Sequence, residues 1–238
     1  MIAVDIGNTY LHFFGFRKGK VSKTLQIPTA GLTKNSVKRV LAQFPPEPLI
    51  ACSVVPQVNK LFHGLKQKVY FIGADLKVPI ACQYNQKQVG MDRLVAAFSA
   101  RKLFPESRLV IDFGTAITFD FLSKSGTYEG GIILPGIGST LAVFSKCALL
   151  PKSVPLKRSR RIIPRNTQQS INKGLVEGFS EMLNALVKKY TGLLKITAEP
   201  AVVITGGEVS AIKSALNFRH HYEPYLVAKG LYLLAAKK

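Results

Sequence analysis

The chain has 238 residues, of which 47% are hydrophobic, so it is long enough to bury one large core or two smaller ones. It has no apolar run of the ~20 residues that a transmembrane helix needs, and its first residues do not resemble a secretion signal. Lysine and arginine (33) outnumber aspartate and glutamate (13), and the resulting charge of +20 favours partners that carry phosphate groups. We therefore expect a cytoplasmic protein with no membrane contact.

Apolar runs and helical spacing alternate along the chain, which predicts an α/β architecture. Strands are predicted, in chain order, at 2–6, 11–16, 48–54, 69–72, 109–113, 116–122 and 201–205. Helical spacing occurs over 37–44 and 94–98, then for longer over 171–190, and again in the basic segment that closes the chain. Proline-containing loops follow at 44–48 and 104–107, and the second places a predicted domain boundary near residue 107.

One motif occurs twice, about half the chain length apart. In Asp5–Thr9 and in Asp112–Thr115, an aspartate at the end of an apolar strand is followed by a glycine and small polar residues. The glycine lets backbone N–H groups approach a ligand, and N–H groups and threonine hydroxyls hold phosphate oxygens. The aspartate holds a hard cation that binds phosphate in turn. We therefore predict that the two copies, one per domain, face each other across a cleft and bind one polyphosphate.

The alternative for this repeat is a pair of ordinary β-hairpins, in which a glycine turn with a nearby aspartate is common. The distribution of aspartates favours the functional interpretation. The chain has only five, of which Asp5 and Asp112 lie in the two copies, Asp120 lies at the end of the strand that follows the second copy, and Asp92 lies in the next motif.

That next motif, GMDR at 90–93, opens a helical pattern. Asp92 is placed to accept a proton from an attacking hydroxyl, and Arg93 to bind a carboxylate or phosphate through two N–H groups. The alternative is that Asp92 only caps the helix.

A further motif, VVITGGE at 202–208, predicts a buried strand that ends at Gly206 and Gly207, followed by a helix with Val209, Ile212 and Leu216. Two glycines let a flat adenine or ribose lie against the backbone. By itself this motif is no stronger than any other turn from a strand to a helix.

Four other features are given no catalytic role. The segment 130–141 lacks the third glycine of a dinucleotide fingerprint. The basic run at 157–165 has no interleaved aromatic residues, so a solvated loop is favoured over a nucleic-acid patch. The sequence RHH at 219–221 indicates a surface turn rather than a metal site. Cys52, Cys82 and Cys147 predict buried thiols in a reducing compartment.

Six motifs, taken together and in this order, resemble those of the type III pantothenate kinases, a family of the acetate-kinase, sugar-kinase, Hsp70 and actin superfamily. They are DIGNT (5–9), GMDR (90–93), DFGTAITFD (112–120), EGGIILPG (129–136), NTQQSINKG (166–174) and ITGG (204–207). The resemblance implies an α/β fold with two RNase H-like domains around a central cleft. Domain 1–107 would carry the first phosphate loop and the GxDR helix, and domain 108–238 the second phosphate loop and the adenosine motif.

The resemblance also implies ATP-dependent phosphorylation of pantothenate to 4′-phosphopantothenate, the first step of coenzyme A biosynthesis. It implies a homodimer with the substrate site near its interface, Mg²⁺ or another divalent cation with ATP, and K⁺ or NH₄⁺ as a monovalent cation. One alternative is a kinase-derived protein without activity that binds nucleic acid through its charge or acts in regulation. A kinase for another small acid or sugar is a third possibility.

Residue roles follow from the resemblance position by position. Asp92 corresponds to the proton acceptor, Asp5 lies near the divalent metal, and Asp112 corresponds to the monovalent-cation ligand. The implied ATP contacts are Asp5, Ile6, Gly7, Asn8, Thr9, His12, Thr115, Gly206 and Gly207. The implied pantothenate contacts are Tyr84, Gly90, Met91, Asp92, Arg93 and, from the facing subunit, Thr167.

The chain departs from the family pattern at three places. His12 stands where the family often has a lysine, and Ala96 where an asparagine is common. The segment from Tyr84 to Gly90 is shorter than the usual lead-in and has no proline, which bears on the role of Tyr84. None of these departures removes a charge that phosphoryl transfer requires.

Overall fold

The computed structural model describes residues 1–85, 88–144, 147, 151, 154–158, 162–197 and 199–236. Its contacts define two compact units. Unit 1 comprises Met1–Pro105, Leu122–Gly130 and the segment that starts at Tyr225, and unit 2 comprises Glu106–Phe121 and Gly131–Pro224. The first division lies close to the predicted boundary at residue 107, but the closing segment of the chain is grouped with unit 1. The division into domains 1–107 and 108–238 stays a prediction.

The first sheet belongs to unit 1 and has the strand order β3-β2-β1-β4-β5. Its central strand β1 pairs antiparallel with β2 and parallel with β4, and β5 continues the sheet in parallel to β4. The strands are β1 (Ile2–Ile6), β2 (Tyr10–Arg17), β3 (Lys20–Pro28), β4 (Leu49–Ser53) and β5 (Val69–Phe71).

The second sheet repeats this arrangement. Its order is β10-β9-β6-β7-β8, and its central strand β6 pairs antiparallel with β7 and parallel with β9. In both β1 and β6, three buried residues precede a half-buried aspartate and one more buried residue. The two copies of the motif found in the sequence therefore occupy the same position in two sheets with the same strand pairing. The strands are β6 (Leu109–Phe113), β7 (Ala116–Leu122), β8 (Tyr128–Pro135), β9 (Val202–Thr205) and β10 (His221–Tyr222).

Helices flank both sheets. They are α1 (Lys34–Leu41), α2 (Pro56–Asn59), α3 (Met91–Leu103), α4 (Ile137–Phe144), α5 (Thr167–Leu193) and α6 (Leu226–Ala235). In unit 1, α3 and α6 pack closely because α6 has a glycine at the contact. A Cβ on Gly230 would lie 2.7 Å from Cγ1 of Val95 and 2.9 Å from its carbonyl oxygen. No helix formed by the described residues has both the length and the hydropathy needed to cross a bilayer.

Each unit has its own hydrophobic core. In unit 1, alternate residues of β1 and β2 face the apolar side of α1, which is capped by Thr33. In unit 2, alternate residues of β6 and β7 pack with the long helix α5. Burial of the strand that precedes each aspartate fixes the position at which that aspartate emerges.

The structure adds three strands that the sequence did not predict, and all three lie at sheet edges: β3, β8 and β10. Edge strands have one neighbour and a weaker apolar pattern, as the exposed lysines of Lys20–Pro28 illustrate. His221, predicted to lie in a surface turn, pairs in β10 with Val203. Instead of the helix predicted after Gly207, two short 3₁₀ helices span Glu208–Ala211 and Lys213–Ala215.

The expectation of three buried thiols is correct only in part. Cys52 is buried, Cys82 is half-buried and Cys147 is exposed, and all three are free cysteines. Cys52 is protected because it lies in β4, a strand with neighbours on both sides.

Candidate active site

The Asp5–Thr9 loop connects β1 to β2 in unit 1. The N–H of Gly7 donates to the carbonyl oxygen of Tyr10 over 3.0 Å. Thr29 holds the loop from the neighbouring segment: its hydroxyl donates to the Gly7 carbonyl (2.7 Å) and its N–H to the Thr9 carbonyl (2.9 Å). Asn8 and Thr9 are exposed. The loop backbone is therefore held in place while its polar side chains reach solvent.

Asp92 lies in the first turn of α3. Its Oδ1 accepts a hydrogen bond from the N–H of Arg93 over 2.8 Å, so the carboxylate folds back over the start of the helix. Gly90 is the N-cap residue, and a Cβ there would overlap the same oxygen. A glycine at position 90 thus leaves room for the carboxylate. Gly90 rather than Asp92 holds the N-cap position, but the Asp92 carboxylate still accepts a hydrogen bond from the first turn, as the helix-stabilising alternative expects.

Cys52 links Asp92 to Asp5. In the pairing of β1 with β4, Asp5 lies opposite Cys52, and Cys52 is completely buried. Burial raises the pKa of the Cys52 thiol well above its usual range, and the negative charges of Asp5 and Asp92 raise the pKa further. Two of the predicted site residues, Asp5 and Asp92, therefore both lie in the surroundings of Cys52 within unit 1.

Arg93 is buried next to two tyrosines of unit 1. The centre of its guanidinium lies 5.9 Å from the ring of Tyr84 and 5.8 Å from the ring of Tyr128. The two rings contact each other edge to face, with centroids 6.3 Å apart. Tyr84, the predicted aromatic wall of the pantothenate site, therefore lies beside Arg93 despite the shortened lead-in. Tyr128 was not predicted as a site residue.

His12 lies on β2 opposite Asp5. Its ring stacks on Phe14 and meets Tyr10 edge to face, with centroids 6.2 Å and 6.1 Å away. Burial lowers the pKa of His12 below its ordinary value of 6.5. The neutral imidazole is thus favoured, and it does not supply the fixed positive charge of the lysine that the family often has here.

The pKa of His12 predicts a dependence of stability on pH. Burial lowers this pKa in the folded state, so neutral His12 contributes fully to the free energy of unfolding above pH 6.5. That contribution is lost as the pH falls through the pKa of His12 in the folded state. Below pH 6.5 the wild type should therefore lose stability faster than His12→Gln. Urea unfolding at a series of pH values measures this difference. His63→Gln, at an exposed histidine, should follow the wild type. Parallel pH curves for wild type and His12→Gln would contradict the prediction.

In unit 2, the end of β6 brings Asp112 next to the ITGG motif. Asp112 lies opposite Thr205 in the pairing of β6 with β9, and Gly206 follows with a φ of +94°. A Cβ on Gly206 would lie 2.6 Å from Oδ1 of Asp112 and 2.5 Å from the backbone nitrogen of Phe113. The backbone of Gly206 therefore passes directly along the Asp112 carboxylate. Two motifs that are about 90 residues apart in sequence form one group.

Thr115 is held by a segment that the sequence did not assign to the site. The N–H of Gly136 and the hydroxyl of Ser139 donate to the Thr115 carbonyl oxygen over 2.9 Å and 2.7 Å. A Cβ on Gly136 would lie 2.6 Å from that oxygen and would overlap the carbonyl of Gly114. The glycine at the end of EGGIILPG was the available signal, because a close backbone approach requires it. The Thr115 side chain itself is exposed.

Glu208 is a second residue of unit 2 that sequence reasoning missed. Its Oε2 accepts a hydrogen bond from the N–H of Gly138, in the first turn of α4, over 3.1 Å. A carboxylate at a helix N-terminus is favourable because the helix dipole is positive there. Glu208 thus fastens the start of α4 to the turn that contains Gly206 and Gly207.

Thr167 is the exposed first residue of α5 in unit 2, next to the N-cap residue Asn166. The other predicted pantothenate contacts belong to unit 1.

The basic run 157–165 is described only in part, because residues 159–161 lie outside the described residues. Arg158 donates from Nη1 to the carbonyl of Ser214 over 3.1 Å, so this part of the run is engaged with the protein.

The described residues include no group of three or more histidine, cysteine, aspartate or glutamate side chains that could hold a metal ion. A magnesium ion bound with a nucleotide needs as little as one carboxylate from the protein, because phosphates and water supply its remaining ligands. Asp5, half-buried at the end of β1, fits that requirement.

Comparison with known proteins identifies the family. The model for type III pantothenate kinases matches residues 1–189. A type III pantothenate kinase of Methylacidiphilum infernorum is 34% identical over 237 residues, which cover 98% of this chain and 87% of the relative. One from Nitratidesulfovibrio vulgaris is 36% identical over 250 residues, with coverages of 97% and 94%.

Solved structures confirm the fold at low sequence identity. A protein described as a Baf family transcriptional activator, from Campylobacter jejuni, has a TM-score of 0.64 at 20% identity and is covered to 98%. The activator of 2-hydroxyisocaproyl-CoA dehydratase from Clostridium difficile, solved with ADPNP, has a TM-score of 0.53 at 14% identity and is covered to 95%. These chains cover 100% and 99% of this one. With the sequence match over most of its length and the two mixed sheets of this ATPase fold, the chain belongs to the type III pantothenate kinase family.

Proposed function

We propose that this kinase transfers the γ-phosphoryl group of ATP to the primary hydroxyl of pantothenate, giving 4′-phosphopantothenate, the first step of coenzyme A biosynthesis, in the cytoplasm. The observation that carries the proposal is the start of α3, where Asp92 and Arg93 lie side by side. Asp92 shares the surroundings of Cys52 with Asp5, and Arg93 lies against two tyrosine rings. This substrate requires a carboxylate that accepts the hydroxyl proton and a guanidinium that pairs with the carboxylate of pantothenate.

The proposed reaction uses these groups as follows. Arg93 pairs with the pantothenate carboxylate, and Tyr84 bounds the substrate beside it. The hydroxyl oxygen attacks the γ-phosphorus, the bond from this phosphorus to the β–γ bridging oxygen breaks, and ADP leaves. Asp92 accepts the hydroxyl proton. Phosphoryl transfer depends mainly on positioning and charge neutralisation, so Asp92 also serves by orienting the hydroxyl.

We assign the ATP contacts to the two repeated loops. Residues 5–9 and His12 of unit 1 contact the phosphates, as does Thr115 of unit 2, and Gly206 and Gly207 lie along the adenosine. Asp5 would hold the divalent cation, which neutralises phosphate charge when bound with ATP. Asp112 would hold K⁺ or NH₄⁺, and its carboxylate beside the Gly206 backbone supports this assignment.

We also propose a homodimer in which Thr167 of one chain contacts pantothenate bound to the other. Exposed apolar residues of unit 2 support an interface: Ile133 on β8 and Val143 on α4 are each 59% exposed. Exposed apolar side chains take part in protein contacts where they form a common patch. Sedimentation of the purified protein measures the oligomeric state directly.

One assay tests the proposed function. ADP release is measured with pantothenate, pantetheine and common sugars as acceptors, each in KCl, NH₄Cl and NaCl. We expect turnover with pantothenate and not with sugars, and we expect higher rates in potassium or ammonium than in sodium. If ADP were released with a sugar but not with pantothenate, the assignment of pantothenate as the acceptor would be wrong. Equal rates in all three salts would contradict the proposed role of Asp112 as a monovalent-cation ligand.

The alternative of a binding protein without enzymatic activity is not favoured, because the chain keeps every aspartate of the family motifs. Its charge of +20 would give DNA binding that weakens steeply with salt. The same preparation, titrated with duplex DNA at about 0.15 M salt, should show no saturable binding.

A further inference from the structure

Tyr128 is the largest completely buried side chain in the described part of the molecule, and it lies next to Arg93. Arg93 is 7% exposed, so its guanidinium lies beside the two rings in a place that excludes most water. A desolvated guanidinium over an aromatic ring is attracted more strongly than one at the surface. This attraction helps to hold the guanidinium in place.

The backbone ties Tyr128 to the segment that carries Tyr84. The N–H of Tyr128 donates to the carbonyl of Ala81 over 2.7 Å, and the N–H of Gln83 donates to the carbonyl of Tyr128 over 2.9 Å. Cys82 and Tyr128 therefore form an isolated parallel bridge. The two tyrosines that contact Arg93 are thus fixed relative to each other.

Gly130 completes the arrangement on the side of Tyr84. Its φ of +117° is one that side-chain-bearing residues rarely adopt, and a Cβ there would lie 3.1 Å from Cδ2 of Tyr84. The absence of a side chain at position 130 lets the Tyr84 ring lie against the backbone of β8. Tyr128 and Gly130, two residues apart on β8, thus both border the cluster of Arg93 and Tyr84.

We propose that Tyr128 is a positioning residue for Arg93, and Gly130 for Tyr84, so that together they set the affinity for the carboxylate end of the acceptor substrate. The inference rests on the proposed function, in which Arg93 binds that carboxylate. Contact with both rings restricts the guanidinium, so it loses less conformational freedom when the substrate binds than it would without the Tyr128 ring.

Replacement of the Tyr128 ring tests the proposal. We expect Tyr128→Leu to raise the KM for pantothenate about tenfold, since one desolvated cation–π contact is lost. The KM for ATP and kcat should change by less than about threefold, because the contact is the same in the ground state and the transition state. Tyr128→Phe keeps the ring and should restore the wild-type KM for pantothenate.

A double-mutant cycle separates an effect through Arg93 from a general loss of structure. Pantothenate affinity is measured by calorimetry for Arg93→Met, Tyr128→Leu and the double variant. If Tyr128 acts through Arg93, Tyr128→Leu weakens binding in the wild-type background and adds nothing when Arg93 is already replaced. The proposal would be overturned if the two substitutions weakened pantothenate binding independently, so that their fold-changes multiplied in the double variant. It would also be overturned if Tyr128→Leu raised the KM for ATP as much as the KM for pantothenate.

Gly130→Ala provides a test if Tyr128→Leu does not fold. Its matched control is Gly31→Ala, at a glycine of the same unit with a φ of +69° and no atom within 4 Å of an added Cβ. Both variants should lose stability through backbone strain, but only Gly130→Ala should raise the KM for pantothenate. An equal KM for pantothenate in both variants would overturn the assignment of Gly130.

If the wild type neither binds nor phosphorylates pantothenate, the proposed function fails and this inference fails with it. If the wild type turns over and Tyr128→Leu has an unchanged KM, only this inference fails.

Discussion

Asp92→Asn lowers kcat by about 10²- to 10⁴-fold, the usual contribution of a general base, and the enzyme still binds ATP. The asparagine has almost the same shape and retains an oxygen that accepts the hydrogen bond from the Arg93 N–H, which spans 2.8 Å. The start of α3 should therefore be preserved. What is lost is the negative charge and the capacity to take up the hydroxyl proton. Single-turnover kinetics with pantothenate measure the lowered rate of phosphoryl transfer, and a titration with ATP measures the retained nucleotide binding.

Asp75→Asn is the matched control for this prediction. Asp75 belongs to the same unit, and its Oδ2 accepts a hydrogen bond from the Phe71 N–H over 2.8 Å, a bond that asparagine can also accept. It lies outside every motif of the site, so kcat should stay at the wild-type value. An Asp92→Asn enzyme with kcat within about threefold of wild type would remove Asp92 from the role of proton acceptor.

Gly206→Ala is expected to lower the free energy of unfolding by about 2–5 kcal/mol. An L-residue at the φ of +94° costs about 1–2 kcal/mol. The added methyl would also lie 2.5 Å from the Phe113 nitrogen and 2.6 Å from the Asp112 carboxylate, and such overpacking costs about 1–3 kcal/mol. A loss of this size is a large part of the ~5–15 kcal/mol that stabilises a typical domain. Urea unfolding of the variant measures it.

The neighbouring glycine is the control. Gly207 has a φ of −77°, and no atom lies within 4 Å of an added Cβ, so Gly207→Ala should change stability by less than about 0.5 kcal/mol. Any Gly206→Ala protein that stays folded must move the Asp112 carboxylate. Under the proposed function, it should therefore require more potassium for half-maximal activity. Equal stabilities for the two alanine variants would show that the turn relaxes around the methyl group.

Much of the site was accessible from the sequence because its signals are local. An apolar strand that delivers an aspartate to a glycine turn needs only a few adjacent residues, and both copies of this motif appear in the structure at equivalent strands. The start of α3 was accessible for the same reason, since Gly90, Asp92 and Arg93 are neighbours in sequence.

The residues that sequence reasoning missed act across long distances along the chain. Tyr128 contacts Arg93, Gly136 contacts Thr115, and Glu208 binds the N–H of Gly138. Tyr128 lies outside every motif, and although Gly136 and Glu208 close two of the motifs, the local sequence does not show which distant residue each of them contacts. The three unpredicted strands have the same origin, since an edge strand is only partly covered and its hydrophobic alternation is weak.

The sequence by itself determined the α/β class, the repeated strand–aspartate–glycine unit and the family, because each depends on the order of neighbouring residues. Only the tertiary structure decided that Asp5 and Asp92 both lie in the surroundings of one buried thiol, that Gly206 lies against Asp112, and that Arg93 lies beside two tyrosine rings. These contacts depend on strand order and on close backbone approach. Both are set by packing the two cores, and no short stretch of sequence encodes them.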